Sequence, residues 1–239
     1  MKLNPNLHFI IFILFLSTNM SASESNTHLF ILSGQSNMAR LKPEISFTPT
    51  MEKEFGANNT TVVKFAKSGA PIRGWVKDYQ YPDKRKIENK SKIGLLYKNL
   101  ITAVHESIKG KKIKTVTFIW MQGERDAKEM LSEVYKKSFN SILSQIKKDL
   151  NITKLNLVLG RISDFDMEDK KYKHWTKIRK IQEEIANQDT QATWVDTDTF
   201  NNKTKNGIAF EDLHYTEDGY KELGKRFAEE AITLIKKKK

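Results

Sequence analysis

The chain has 239 residues, of which 38% are hydrophobic and 29% charged, and it contains no cysteine. That length suits one domain with a sizeable core, and the composition excludes a disordered chain, a disulfide scaffold and thiolate chemistry. With 41 Lys and Arg against 29 Asp and Glu, the formal net charge is +12; this reads as a solvated basic surface or as attraction to an anionic polymer such as an acidic polysaccharide.

The first 23 residues stand apart. Lys2 precedes an apolar run over 7–16, and the small residues Ser17, Ser21, Ala22 and Ser23 follow. This is the pattern of a secretory signal peptide, short for a membrane span, with an uncleaved anchor as the alternative. Cleavage after Ala22 places Met20 at the −3 position, and cleavage after Ser23 places Ser21 there. The expectation is a signal peptide over 1–23 and one domain over 24–239. The product would be secreted or periplasmic, with no stable membrane anchor once the signal is removed.

The body alternates strand-like and helix-like runs. The spacing predicts strands over 28–33, 61–66, 113–120, 155–160 and 192–195, each short, apolar or β-branched and bounded by turn residues. It predicts helices over 92–109, 127–150, 172–187 and 217–235, with apolar side chains recurring along one face. Alternation of this kind makes a three-layer α/β/α sandwich around a mainly parallel, about five-stranded sheet. Active sites in such folds lie at the carboxyl ends of the strands. Four polar segments fall there: 34–37, 68–74, 122–126 and 211–214. The polar and aromatic stretch 71–91 is long for a connection and could wall a cleft.

Ser36, in Gly34-Gln35-Ser36-Asn37, follows the first strand. A serine hydroxyl needs a base within hydrogen-bond reach, and the base needs a carboxylate to fix its tautomer. His214 supplies an imidazole, with Glu211 three residues before it and Asp212 two before it. Each residue alone has a plainer reading: Ser36 as a helix cap, His214 as a helix-start residue held by its neighbours. Trp75 could stack on a sugar ring or pack in the core. Glu124 and Asp126 could orient the 122–126 loop or face solvent. His28, His105 and His174 show no metal-ligand spacing, and no recognition-helix or zinc-finger pattern points to nucleic acid.

Gly34-Gln35-Ser36-Asn37-Met38, then Trp120-Met121-Gln122-Gly123-Glu124, then a carboxylate-x-x-His near the end resemble the SGNH hydrolase superfamily. The similarity is greatest to its sialate O-acetylesterase-like and acetylxylan-esterase-like branch. The resemblance implies a flavodoxin-like fold and a cofactor-free, metal-free serine esterase acting on an acetylated carbohydrate. It implies Ser36 as nucleophile, His214 as base, and an oxyanion hole made by the Ser36 and Gly69 N–H groups and the Gln122 side chain. Asn37 and Glu124 would then orient the loops. Gln35, Arg73, Trp75 and Arg125 are candidates to meet substrate, with Arg125 facing water as its plainer alternative. The superfamily pattern has aspartate where this chain has Glu211, so the acid is Glu211 by register or Asp212 by a one-residue shift. A lipase or thioesterase of the same superfamily, or a carbohydrate-binding relative with a weakened triad, are the competing readings.

Overall fold

The computed structural model describes residues 26–82 and 92–237; the expected signal peptide lies outside them. Among these residues no helix is long and apolar enough to cross a membrane.

Five strands form one parallel sheet: β1 (Asn26–Gly34), β2 (Thr60–Ala66), β3 (Lys112–Met121), β4 (Asn156–Gly160) and β5 (Ala192–Val195), in the order β2-β1-β3-β4-β5. After Asn26 every residue of β1 is buried, as expected of a strand covered on both faces. Alternate side chains serve the two faces. Phe30 packs against Phe47 and Phe55 of helix α2 (Phe47–Phe55), beside the long closing helix α7 (Glu217–Lys236). Phe118 and Trp120 turn the other way and pack against Phe139 of α5 (Ser132–Asp149), which adjoins α6 (Trp175–Asn187) on that face. Helix α3 (Leu95–Ile108) packs against β2. Trp75, Trp120 and Trp175 are all fully buried, and burying a large apolar side chain stabilises the fold by roughly 2–3 kcal/mol.

The chain runs from β1 outward to β2, then returns to place β3 on the other side of β1. The strand order therefore reverses between β1 and β3. Loops leaving those two strands diverge and open a crevice at their carboxyl ends, where ligands bind in such sheets.

The structure corrects two parts of the sequence reading. The single helix expected over 127–150 is two helices, α4 (Glu124–Lys128) and α5. Met130 adopts φ 57° and is half exposed, while the Leu131 N–H bonds back to the Asp126 carbonyl and closes α4. Its apolar side chain mimicked the helical period without joining the core. Between the fifth strand and α7, where the spacing predicts no element, a hairpin forms: β6 (Asn202–Lys205) pairs antiparallel with β7 (Ile208–Glu211). Asn206 and Gly207 turn it, with φ 52° and 78°, the two positive angles that favour Asn-Gly in a two-residue hairpin.

Candidate active site

Ser36 opens the five-residue helix α1 (Ser36–Arg40) directly beyond β1. The approach is tight. A Cβ on Gly34 would lie 1.9 Å from the Met121 carbonyl oxygen of β3, and the Gln35 N–H donates to that same oxygen at 2.9 Å. The residue capping α1 is Gln35, without a side-chain cap bond, so Ser36 does not act as the cap. Its residue is 6% exposed. Its hydroxyl has no protein partner among the described residues and is not sealed from solvent.

Asn37, buried beside it, joins four segments. Its Nδ2 donates to Glu124 Oε1 at 2.9 Å and to the Leu213 carbonyl at 3.2 Å, and its Oδ1 accepts from Tyr220 Oη at 2.9 Å. The loop carrying His214 is thereby fastened beside the loop carrying Ser36. Tyr220, on α7, has no precedent in the sequence reading, since no local pattern links it to residue 37.

The carboxylates near His214 do not meet its ring. Asp212 Oδ1 accepts the His214 backbone N–H at 3.3 Å, and its Oδ2 accepts Lys203 Nζ at 2.6 Å. Glu211 ends β7 exposed, and weak burial followed by the charges of Asp164 and Asp198 raises its pKa. Among the described residues, no hydrogen bond joins a carboxylate to the His214 imidazole. Partial burial, then the positive charge of Arg40, pushes the His214 pKa below 6.5, while Asp212 opposes them.

The 122–126 loop is buried rather than solvated. Gln122 is 0% exposed. Its Nε2 lies 2.6 Å from Asp126 Oδ2 and 3.3 Å from both the Ala70 carbonyl and Gln35 Oε1. Two amide hydrogens thus face three acceptors, and the group is not presented to the crevice. Asp126 Oδ2 also accepts the Ile72 N–H at 2.8 Å, which holds the 68–72 turn against the loop. Desolvation raises the Glu124 pKa to about 7 and that of Asp126 to about 6.

Gly69 sits in that turn at φ 68°, exposed, with open space where a Cβ would point; its backbone angle, not crowding, favours glycine. A cavity of about 630 Å³ adjoins it, lined by Lys67, Arg73, Tyr81, Arg125 and Glu129 among others. Arg73 and Arg125 both pair with Glu129 at 2.5 Å, and Arg73 also stacks on Tyr81. Trp75 takes its core alternative: it is fully buried and donates Nε1 to Ser33 Oγ at 2.9 Å, so it cannot stack on a sugar. Among the described residues, no group of His, Cys, Asp and Glu could hold a metal ion.

The fold has many relatives. A protein of Arabidopsis thaliana superposes with a TM-score of 0.63 at 19% identity, covering 87% of this chain and 98% of its own. A carbohydrate acetylesterase from Xanthomonas citri gives 0.58 at 14%, covering 84% of this chain and 54% of the other. The structure of NanS gives 0.60 at 11%, covering 90% and 99%. At these identities the likeness concerns the fold. No functionally curated protein is detectably similar in sequence. The profile of the family described as "Carbohydrate esterase, sialic acid-specific acetylesterase" matches residues 39–233, well over half the chain and starting just past Ser36. This chain therefore belongs to that family of carbohydrate esterases.

Proposed function

We propose that this protein removes O-acetyl groups from a carbohydrate through an acyl-enzyme on Ser36. The observation that carries the reading is the Asn37–Leu213 hydrogen bond, because it ties the residue after Ser36 to the residue before His214 at the carboxyl end of the sheet, where strand order reverses.

In the proposed reaction the Ser36 Oγ attacks the ester carbonyl carbon. The C=O π electrons move onto oxygen, and the hydroxyl proton passes to His214. Backbone N–H groups of Ser36 and Gly69 face the developing oxyanion, each such donor being worth roughly 3 kcal/mol. Collapse breaks the bond to the sugar oxygen, which leaves with the proton from His214. Water, deprotonated by His214, then releases acetate and restores Ser36. His214, with its pKa below 6.5, is neutral at pH 7 and able to accept that proton. Asp212 holds the backbone of the His214 loop, so it is the carboxylate assigned to position the base.

Acetate release from acetylated sugars by wild type and by Ser36→Ala tests this reading. Loss of release in the variant is expected, and equal rates would refute the mechanism. One observation favours a second reading, a carbohydrate-binding protein with a weakened triad: among the described residues no carboxylate hydrogen-bonds the His214 ring. Binding to a polysaccharide without any turnover of an activated acetate ester would decide for it. On this reading acetyl esters should be cleaved and octanoyl esters not, and the reverse preference would favour a lipase or thioesterase. The N-terminal pattern supports export. The net charge of +12 supports recruitment to anionic polysaccharide, which added salt would weaken.

A further inference from the structure

We propose that the side-chain amide of Gln35 donates a hydrogen bond to the acyl oxygen of the substrate, filling the donor position that Gln122 does not offer. The inference rests on the reading of Ser36 as nucleophile.

The orientation of the Gln35 amide follows from chemistry rather than from choice. Its Oε1 lies 3.1 Å from the Arg125 backbone nitrogen, an obligate donor, so the atom there must be the acceptor. Gln122 Nε2 points at the same oxygen, and Gln122 is in turn fixed by its 2.6 Å bond to Asp126. The relay runs one way, from Arg125 N–H to Gln35 Oε1, and from Gln122 N–H to Gln35 and Asp126. It leaves Gln35 Nε2 as the outward end.

That nitrogen has no protein acceptor among the described residues, yet it is not sealed from solvent, although the residue is only 3% exposed. A nearly buried amide donor left unpaired is costly unless a water or ligand meets it. The backbone of Gln35 is held on both sides, its N–H on Met121 O and its carbonyl on Ala39 N–H. The free donor is therefore rigid, one residue from Ser36, and spans the gap between the ends of β1 and β3. An oxyanion donor must be preorganised in this way to stabilise charge that exists only in the transition state. As the Ser36 Oγ–carbon bond forms, the electron pair displaced onto the acyl oxygen would be met by the Gln35 N–H with the Ser36 and Gly69 N–H groups. Gln122 becomes a positioning residue that holds Gln35.

Gln35→Glu tests the assignment because it keeps the acceptor for Arg125 and removes the donor; Gln35→Met removes both. With an activated acetate ester, both variants are expected to lose roughly 100-fold or more in kcat with KM little changed. Affinity for a short alkyl boronic acid, which forms a tetrahedral adduct on serine, should fall in parallel. Side-chain amide NMR of the wild type gives a readout independent of whether the variants fold. The Gln35 resonance should shift on boronate addition, and a shift at Gln122 with Gln35 unmoved would overturn the assignment. Wild-type kcat in Gln35→Glu, with Ser36→Ala inactive, would overturn it while leaving the esterase reading intact. Full activity in Ser36→Ala would remove both.

Discussion

Asn37 Nδ2 donates to the carbonyl of Leu213, 176 residues further along the chain, at 3.2 Å. This bond aligns the two loops on which the proposed chemistry depends. Asn37→Ala removes this partner from buried Glu124 and from the half-buried Leu213 carbonyl and Tyr220 Oη, and an orphaned buried group such as Glu124 costs about 1–3 kcal/mol. The variant should melt several degrees lower and lose at least tenfold in kcat/KM. Tyr220→Phe removes one bond of the same set and should lose less. Unchanged activity in a folded Asn37→Ala protein would show that the two loops hold their places without it.

The buried pair Glu124 and Asp126 makes stability depend on pH. Desolvation lifts Glu124 from 4.5 to about 7, so the folded state binds the proton more tightly than the unfolded chain. Stability from this group is present below pH 4.5 and lost as pH rises through 7, on the order of 3 kcal/mol in all. His214 acts in the opposite sense, since its depressed pKa removes stability as pH falls below 6.5. Glu124→Gln isolates the first effect. Thermal melts of wild type should drop between pH 5 and 8, and melts of the variant should drop less. Parallel pH curves for the two proteins would count against a protonated Glu124.

Arg40 is expected to extend the proposed activity toward lower pH. After partial burial, its charge is the next cause that lowers the His214 pKa, and a base must be neutral to accept a proton. The acid limb of kcat/KM should therefore lie below pH 6.5, and Arg40→Gln should move it to higher pH. Because Arg40 is exposed, the displacement should shrink as salt is added. A limb that stays in place at low ionic strength would exclude Arg40 from this role.

Asp212 and Glu211 can be separated by matched amides. Asp212→Asn weakens both the bond to the His214 N–H and the ion pair with Lys203, and about a tenfold loss in kcat is expected if loop orientation carries the base. Glu211→Gln should change kcat by less than about threefold, because its exposed carboxylate makes no hydrogen bond to the histidine among the described residues. A larger loss in Glu211→Gln would mean that the carboxylate three residues before the histidine reorients it when substrate binds.

Local chemistry made much of this molecule legible. The β-branched and apolar runs of β1, β3 and β4 stand out because strands covered on both faces have no polar side to dilute the signal. Their alternation with helical periods led directly to the layered parallel sheet that the structure shows. Met130 misled by its apolar character, since hydropathy carries no information about a φ of 57°. The Asn206-Gly207 pair was a hairpin signal in plain view, obscured because each flanking strand has only four largely exposed residues, too few to give a periodic signal.

By itself, the sequence determined the sheet, the placing of the polar segments at its carboxyl edge, and the residue types available there. Only the tertiary structure decided which groups face the crevice and which are spent on each other. It buried Trp75 and Gln122, left Glu211 exposed at the end of β7, and left Gln35 with a free donor. Those outcomes turn on contacts between residues far apart in the chain, such as Gln35 with Arg125 and Asn37 with Leu213. Hydropathy period and local propensity report only on neighbours, whereas hydrogen-bond saturation depends on every donor and acceptor that folding brings within about 3 Å.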